Sequence, residues 1–190
     1  SNRKSEFLMH DAEFLATLAA LTTDYAYPYE EFAQAWELIC LNQFHDILPG
    51  SSINEVYVDS TKDYQIIEGL GCQTRDAALE ALGRALPANS SILVANPTSF
   101  AGKRMGLLQD KLRPGTHLVD GSGNALAVQV VENGTLIEFP HLEAYSVGGL
   151  KESTGEVTLP TGELSVTQSK GGVVFENALV RAELDGNGEI

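Results

Sequence analysis

The repeat distance of the apolar residues changes once along the 190 residues of this chain, and that change limits the folds open to it. Up to about Leu86, apolar side chains recur at three- and four-residue steps, which gathers them on helical faces. From about Asn89 onward they fall in short runs separated by Gly, Asn, Asp and Pro, the pattern of strands and tight turns. The chain therefore reads as α+β. Residues 1–88 form a three-helix bundle and residues 89–190 an all-β domain of antiparallel, sandwich-like character.

Within the first part, the spacing predicts a helix from about Lys4 to Leu21, with Phe7, Leu8, Phe14, Leu15, Leu18 and Leu21 on one face. A second helix runs from about Tyr29 to Ile47, with Pro28 as its opening residue. A third runs from about Ile53 to Leu82, with Val56, Tyr57, Tyr64, Ile67, Ala78, Leu79 and Leu82 as its stripe. Ser52 followed by Glu55 fits a capping box at its start. Gly69 and Gly71 weaken its middle, so a kink or a break is expected there. In the second part the runs are SILVANP, RMGLLQ, THLVD, ALAVQVV, GTLIEFP, AYSVGGL, EVTLP, LSVTQ and GVVFENALVRAEL. Asn133-Gly134 is the strongest hairpin signal. The final DGNGEI promises a further strand after its turn, so the chain is expected to be cut before the β part is complete.

Composition narrows the function classes. A net charge of −14 opposes a nucleic-acid backbone as partner, because phosphate binding needs clustered Lys and Arg. The acids are spread out, which reads as a solvated surface. No apolar run approaches the roughly 18 residues of a membrane span, and no signal-peptide pattern is visible. Cys40 and Cys72 lie in helical patterns outside any CxxC, which suits reduced thiols in the cytoplasm, with a single disulfide between them as the alternative.

The second helix holds the chemical anomaly. Phe32, Ala33, Trp36, Leu38, Ile39, Cys40, Leu41, Phe44 and Ile47 cover nearly its whole circumference, so it is expected to be buried all round or to expose an apolar face that awaits a partner. Asn42, Gln43, His45 and Asp46 interrupt this run, and burying such groups without partners costs a few kcal/mol each. Asp46 would sit in a last helical turn, where the macrodipole disfavours an acid. His45 has a plain reading as a helix-end histidine. Asp46 has plain readings as an exposed acid or as a partner of the next helix's free N–H groups. Adjacent helical residues point about 100° apart, so the two are not expected to chelate one ion together. The other histidines, His10, His117 and His141, have no partner at metal-ligand spacing. No phosphate loop is present, because GLGCQT lies inside a helical segment, and no Gly-x-Ser-x-Gly elbow occurs. Trp36 and the Tyr25, Tyr27 and Tyr29 cluster read as packing residues, with stacking on sugar as the alternative. By itself the chain offers part of a site.

LNQFHDILPGSSI (41–53), flanked by Ala35-Trp36 and by NEVYVDS (54–60), closely resembles the central segment of the glycoside hydrolase family 38 α-mannosidases. NRKSEFLMHDAEFLATLA, VANPTSF, HLVDGSGNALAVQ, FPHLEAYSV and ENALVRAELDGNGEI resemble the neighbouring segments of that family in the same order. The resemblance implies a retaining hydrolase of terminal α-linked mannose whose nucleophile, acid/base and three metal ligands sit on an N-terminal barrel outside this sequence. It further implies that His45 is the remaining protein ligand to a divalent ion, most often zinc, and that Asp46 faces the mannose hydroxyls. The implied partners are an α-mannoside oligosaccharide and that barrel, with a homo-oligomer as a further expectation. This chain alone is expected to be inactive and to hold metal weakly or not at all. A mannosylglycerate hydrolase of the same family and a non-catalytic carbohydrate-binding or structural module are the alternatives.

Overall fold

A computed structural model of the protein describes residues 1–154, 164–169 and 171–190. It opens with three helices, α1 (Asn2–Thr22), α2 (Tyr29–Asn42) and α3 (Asn54–Ala85). Among the described residues nine strands follow: β1 (Ile92–Asn96), β2 (Gly102–Leu108), β3 (His117–Val119), β4 (Ala127–Val131), β5 (Gly134–Leu142), β6 (Ser146–Ser153), β7 (Ser165–Ser169), β8 (Gly172–Glu176) and β9 (Arg181–Asp185). All strand pairings are antiparallel, in three sheets of order β1-β6-β3, β2-β5-β4 and β7-β8-β9. By its contacts the chain divides into Ser1–Gly155 and Glu156–Ile190. The expected run EVTLP lies outside the described residues.

The bundle closes on small side chains. The buried face of α1 carries Met9, Ala12, Leu15, Ala16 and Ala19, while Phe7 and Leu21 of the expected stripe stand exposed. Opposite them α3 buries Ser60, Ile67, Gly71, Thr74, Ala78, Ala81 and Leu82. Size decides this seam as much as hydrophobicity, because small residues let two helix backbones approach. Gly71 shows the tightness of the fit. A Cβ there would meet Leu8 at 2.7 Å and the Met9 sulfur at 3.0 Å. α3 runs unbroken through Gly69 and Gly71, so the expected break does not occur: Gly71 serves packing, and the surrounding contacts support the helix there.

Two further expectations change at the α2–α3 junction. α2 stops at Asn42 rather than near Ile47, and residues 43–53 form a run of turns. Pro49 disfavours helical geometry at Leu48, and Gly50 takes a left-handed φ of +85° while its N–H donates to the Ile47 carbonyl. The capping box does not form. Ile53 occupies the N-cap position of α3 without a side-chain cap, and the Ser52 hydroxyl is used elsewhere.

In the β part, the first two sheets share a core of Leu118, Leu126, Ile137, Phe139 and Leu150. Strand β1 is two-sided. Ile92 and Val94 pack on that core, while Leu93 and Ala95, with Val147 of β6, pack on the core of the helices. The β4–β5 hairpin pairs Val131 with Gly134, so its loop residues are Glu132 and Asn133. Gly134 is required because a Cβ there would lie 2.0 Å from the Leu108 carbonyl oxygen of β2. The single run expected over GVVFENALVRAEL is two strands, β8 and β9. The Asn177 side-chain oxygen turns the chain between them by accepting the N–H groups of Leu179 and Val180, each at 2.8 Å.

Candidate functional site

The polar residues at the end of α2 separate into two roles. Asn42 and Gln43 are structural. Asn42 is buried, and its side-chain amide donates to the Leu38 carbonyl and to the Asp63 carboxylate of α3, both at 2.9 Å. Gln43 donates to the Glu6 carboxylate at 2.7 Å and to Asn2 at 3.3 Å, both on α1. Between them they fasten the end of α2 to both other helices, so their buried amide donors are compensated within the bundle.

His45 and Asp46 are displayed instead. Their side chains are 78% and 55% exposed, against the buried setting expected for them. Both lie beyond the helix end, so the macrodipole penalty expected for Asp46 does not apply. The expected 100° divergence is absent for the same reason. The His45 Nε2 and the Asp46 Oδ2 converge to 3.5 Å. Two donors on one tetrahedral zinc, each at roughly 2.0–2.1 Å, stand about 3.4 Å apart. The same spacing is that of a His–carboxylate contact, and the pair supplies at most two members of a ligand set. Among the described residues, no group of three or more His, Cys, Asp or Glu is placed to hold a metal ion.

Hydroxyl groups fix the loop from behind. The Asp46 carbonyl oxygen lies 2.7 Å from the Ser52 hydroxyl, 3.3 Å from the Tyr57 hydroxyl and 3.4 Å from the Ser51 hydroxyl. The Tyr57 oxygen also accepts the Ser52 N–H at 2.9 Å. In front, the Phe44 ring sits 4.2 Å, centroid to centroid, from the His45 ring. Leu41, Phe44, Leu48 and Ile53, on or beside the loop, are each more than half exposed. The sequence places an unpartnered apolar face on α2; Phe44, Leu48 and Ile53 lie beyond that helix, on the loop that follows it.

The remaining sequence candidates fall to packing. Trp36 packs on the bundle core and donates from its indole nitrogen to Glu13 at 3.0 Å. Tyr27 sits against Tyr29 and Phe32, with ring centroids 4.7 and 5.1 Å apart. Burial, with the Glu13 charge second, raises its phenol above the ordinary value. GLGCQT lies within α3. Sequence reasoning missed a second feature. Trp36 edges an open cleft of about 430 Å³ lined also by Phe7, Phe100 and Tyr145. Tyr145 is the one non-glycine residue with positive φ among the described residues, at +47°, and its N–H is held by the Thr98 carbonyl. No local signal in the sequence marks that conformation. It follows from Asn96, which binds both the Phe100 and Glu143 carbonyls and draws the two loops together.

A family model described as the α-mannosidase middle domain matches residues 1–82, which span α1, α2, the His45 loop and nearly all of α3. Residues 1–82 are thus similar to α-mannosidase middle domains. It is similar to α-mannosidase 2C1 of Mus musculus, 30% identical over 181 residues that make up 94% of this chain and 17% of the relative. To α-mannosidase 2C1 of Homo sapiens it is 28% identical over 191 residues, 100% of this chain and 16% of the relative. An α-mannosidase of Saccharomyces cerevisiae is 44% identical over 57 residues, 29% of this chain and 5% of that protein. The chain thus spans about one sixth of the length of the two 2C1 relatives. Its fold matches a solved glycosyl hydrolase family 38 protein of Enterococcus faecalis with a TM-score of 0.66, at 19% identity, over 97% of this chain and 27% of that one. Helices followed by antiparallel sheets is the architecture the two chains share.

Proposed function

We propose that this chain is the middle-domain part of a retaining α-mannosidase acting on terminal α-linked mannose, and that its loop 43–53 forms one wall of the active site. The observation that supports this most is the exposed His45–Asp46 pair, on a loop held by hydroxyl contacts to the Asp46 carbonyl and carrying exposed apolar side chains. His45 presents an imidazole as one ligand to a divalent ion, zinc being the ion that the family resemblance implies. Asp46 accepts hydrogen bonds from mannose hydroxyls beside it. When bound, the ion supplies charge that holds and polarises those hydroxyls. The nucleophile and acid/base of two-carboxylate hydrolysis come from a barrel in the same polypeptide, which would cover those apolar side chains. The enzyme works in the cytoplasm, in keeping with the two free cysteines.

The test has two arms. In a polypeptide that includes the barrel, His45→Ala is expected to lower turnover of 4-nitrophenyl α-mannoside at least about 100-fold and to lower bound zinc in parallel. Asp46→Asn is expected to impair turnover while zinc stays bound. Unchanged activity in His45→Ala overturns the assignment. The 190-residue chain alone is expected to show no turnover, and metal-dependent hydrolysis by it would overturn the claim that the nucleophile lies elsewhere.

A further inference from the structure

We infer that Tyr57 is the positioning residue of the His45–Asp46 wall, an inference that rests on the function proposed above. A loop that displays a metal ligand must be held to within about 0.5 Å of its working geometry by contacts of its own. Backbone hydrogen bonds inside 43–53 are short-range turns, and these fix local shape without tying the loop to the bundle. Past Gln43, whose side chain binds α1, the tie to α3 is made at one oxygen.

Tyr57 stands in the first turn of α3, just past the loop, and its hydroxyl reaches back over residues 46–52. It accepts the Ser52 N–H at 2.9 Å and lies 3.3 Å from the Asp46 carbonyl and 3.5 Å from the Ile47 carbonyl. With a single proton it serves one of those carbonyls at a time, while the shorter Ser52 contact persists. The hydroxyl thus closes a ring that starts at Asp46, passes through Pro49-Gly50 and returns at Ser52. Ser52 completes it by donating its own hydroxyl to the Asp46 carbonyl at 2.7 Å. Asp46 is thereby held by its backbone, which leaves its carboxylate and the neighbouring imidazole free to face outward. The base of the loop is pinned separately by Asn42 and Gln43. The Tyr57 hydroxyl controls orientation, and its loss does not detach the loop.

Tyr57→Phe keeps the ring and removes only the oxygen. In the 190-residue chain, three readings are taken by NMR on wild type and variant. The Ser52 amide is expected to exchange with solvent at least about tenfold faster in the variant, since its acceptor is gone. The order parameters of the His45 and Asp46 amides are expected to fall, while those of residues 60–82 and the melting temperature stay unchanged. Titration with Zn²⁺ alone, followed at the His45 ring, is expected to be weak in the wild type, on the order of millimolar as one or two ligands give, and several-fold weaker in the variant. His10, His117 and His141 serve as internal references and are expected to respond alike in both proteins. Equal order parameters at His45 and Asp46, or equal Zn²⁺ response at a His45 that does bind, overturns the proposal. A wild-type His45 that takes up no Zn²⁺ counts against the metal reading instead, and the order parameters then decide the positioning role by themselves.

Discussion

At the residue scale, Asn42 shows how polar atoms can be buried for different reasons within one short stretch. Its two N–H groups are satisfied by Leu38 and Asp63, whereas its side-chain oxygen is buried without a hydrogen-bond donor. Asn42→Ala removes the donor to Asp63 and leaves a half-buried carboxylate unpaired, at an expected cost of about 1–3 kcal/mol. Asn42→Asp places a second carboxylate against Asp63 and is expected to destabilise more than the alanine does. Urea titrations of the two variants at neutral pH check that order. Periodicity could identify Asn42 as a polar interruption of an apolar face, but not whether its partner lay inside the bundle or outside it. That depends on the register of α3 against α2, a long-range property. Its neighbour His45 shows the converse. The residue type and its place in the FHD motif were legible. Its exposure was not, because it depends on where α2 ends, and the turns that follow Asn42 end it before the apolar pattern does.

At the element scale, the two mid-helix glycines of α3 are predicted to answer alanine with opposite signs. A methyl group at Gly69 would meet nothing within 4 Å, so Gly69→Ala is expected to stabilise by about 0.5–1 kcal/mol through helix propensity. Gly71→Ala drives a methyl into Leu8 and Met9 and is expected to destabilise. Thermal melts of the two single variants decide it, and equal signs would mean that α1 and α3 do not meet as closely as described. The turn between β3 and β4 carries a pH dependence. Partial burial of Asp120 works to raise its carboxyl, but hydrogen bonds from the Asn124 side chain and the Asn124 and Ser122 backbone outweigh it and hold the group below its ordinary value. A carboxyl depressed in the folded state contributes stability above its unfolded value, near pH ~4, and loses it as pH falls through the depressed folded value. Asp120→Asn is therefore expected to flatten the acid limb of a stability-versus-pH curve. The DGSGN sequence announced the turn. That it would anchor a carboxylate by three donors follows from the hairpin geometry, which the sequence does not encode locally.

At the scale of the whole molecule, the exposed apolar side chains of the loop and the two-sided strand have separate consequences. Leu41, Phe44, Leu48 and Ile53 contribute little to the fold of this chain, because each is mostly exposed. Replacing Phe44 and Leu48 together by Ser is expected to reduce binding of a hydrophobic dye and any self-association in sedimentation, with the melting temperature unchanged. A clear loss of melting temperature would show that these side chains pack inward. Strand β1 acts differently. Its alternate side chains enter two cores, one built from helices and one from strands, so each core has the other's structure as part of its boundary. Ending the chain after Leu86 would strip Leu93, Ala95 and Val147 from the helices and expose their core to water. The shared strand makes the helices and the first two sheets a single thermodynamic partner: heat should release them in one transition, and damage to either core should be felt as lost cooperativity in both.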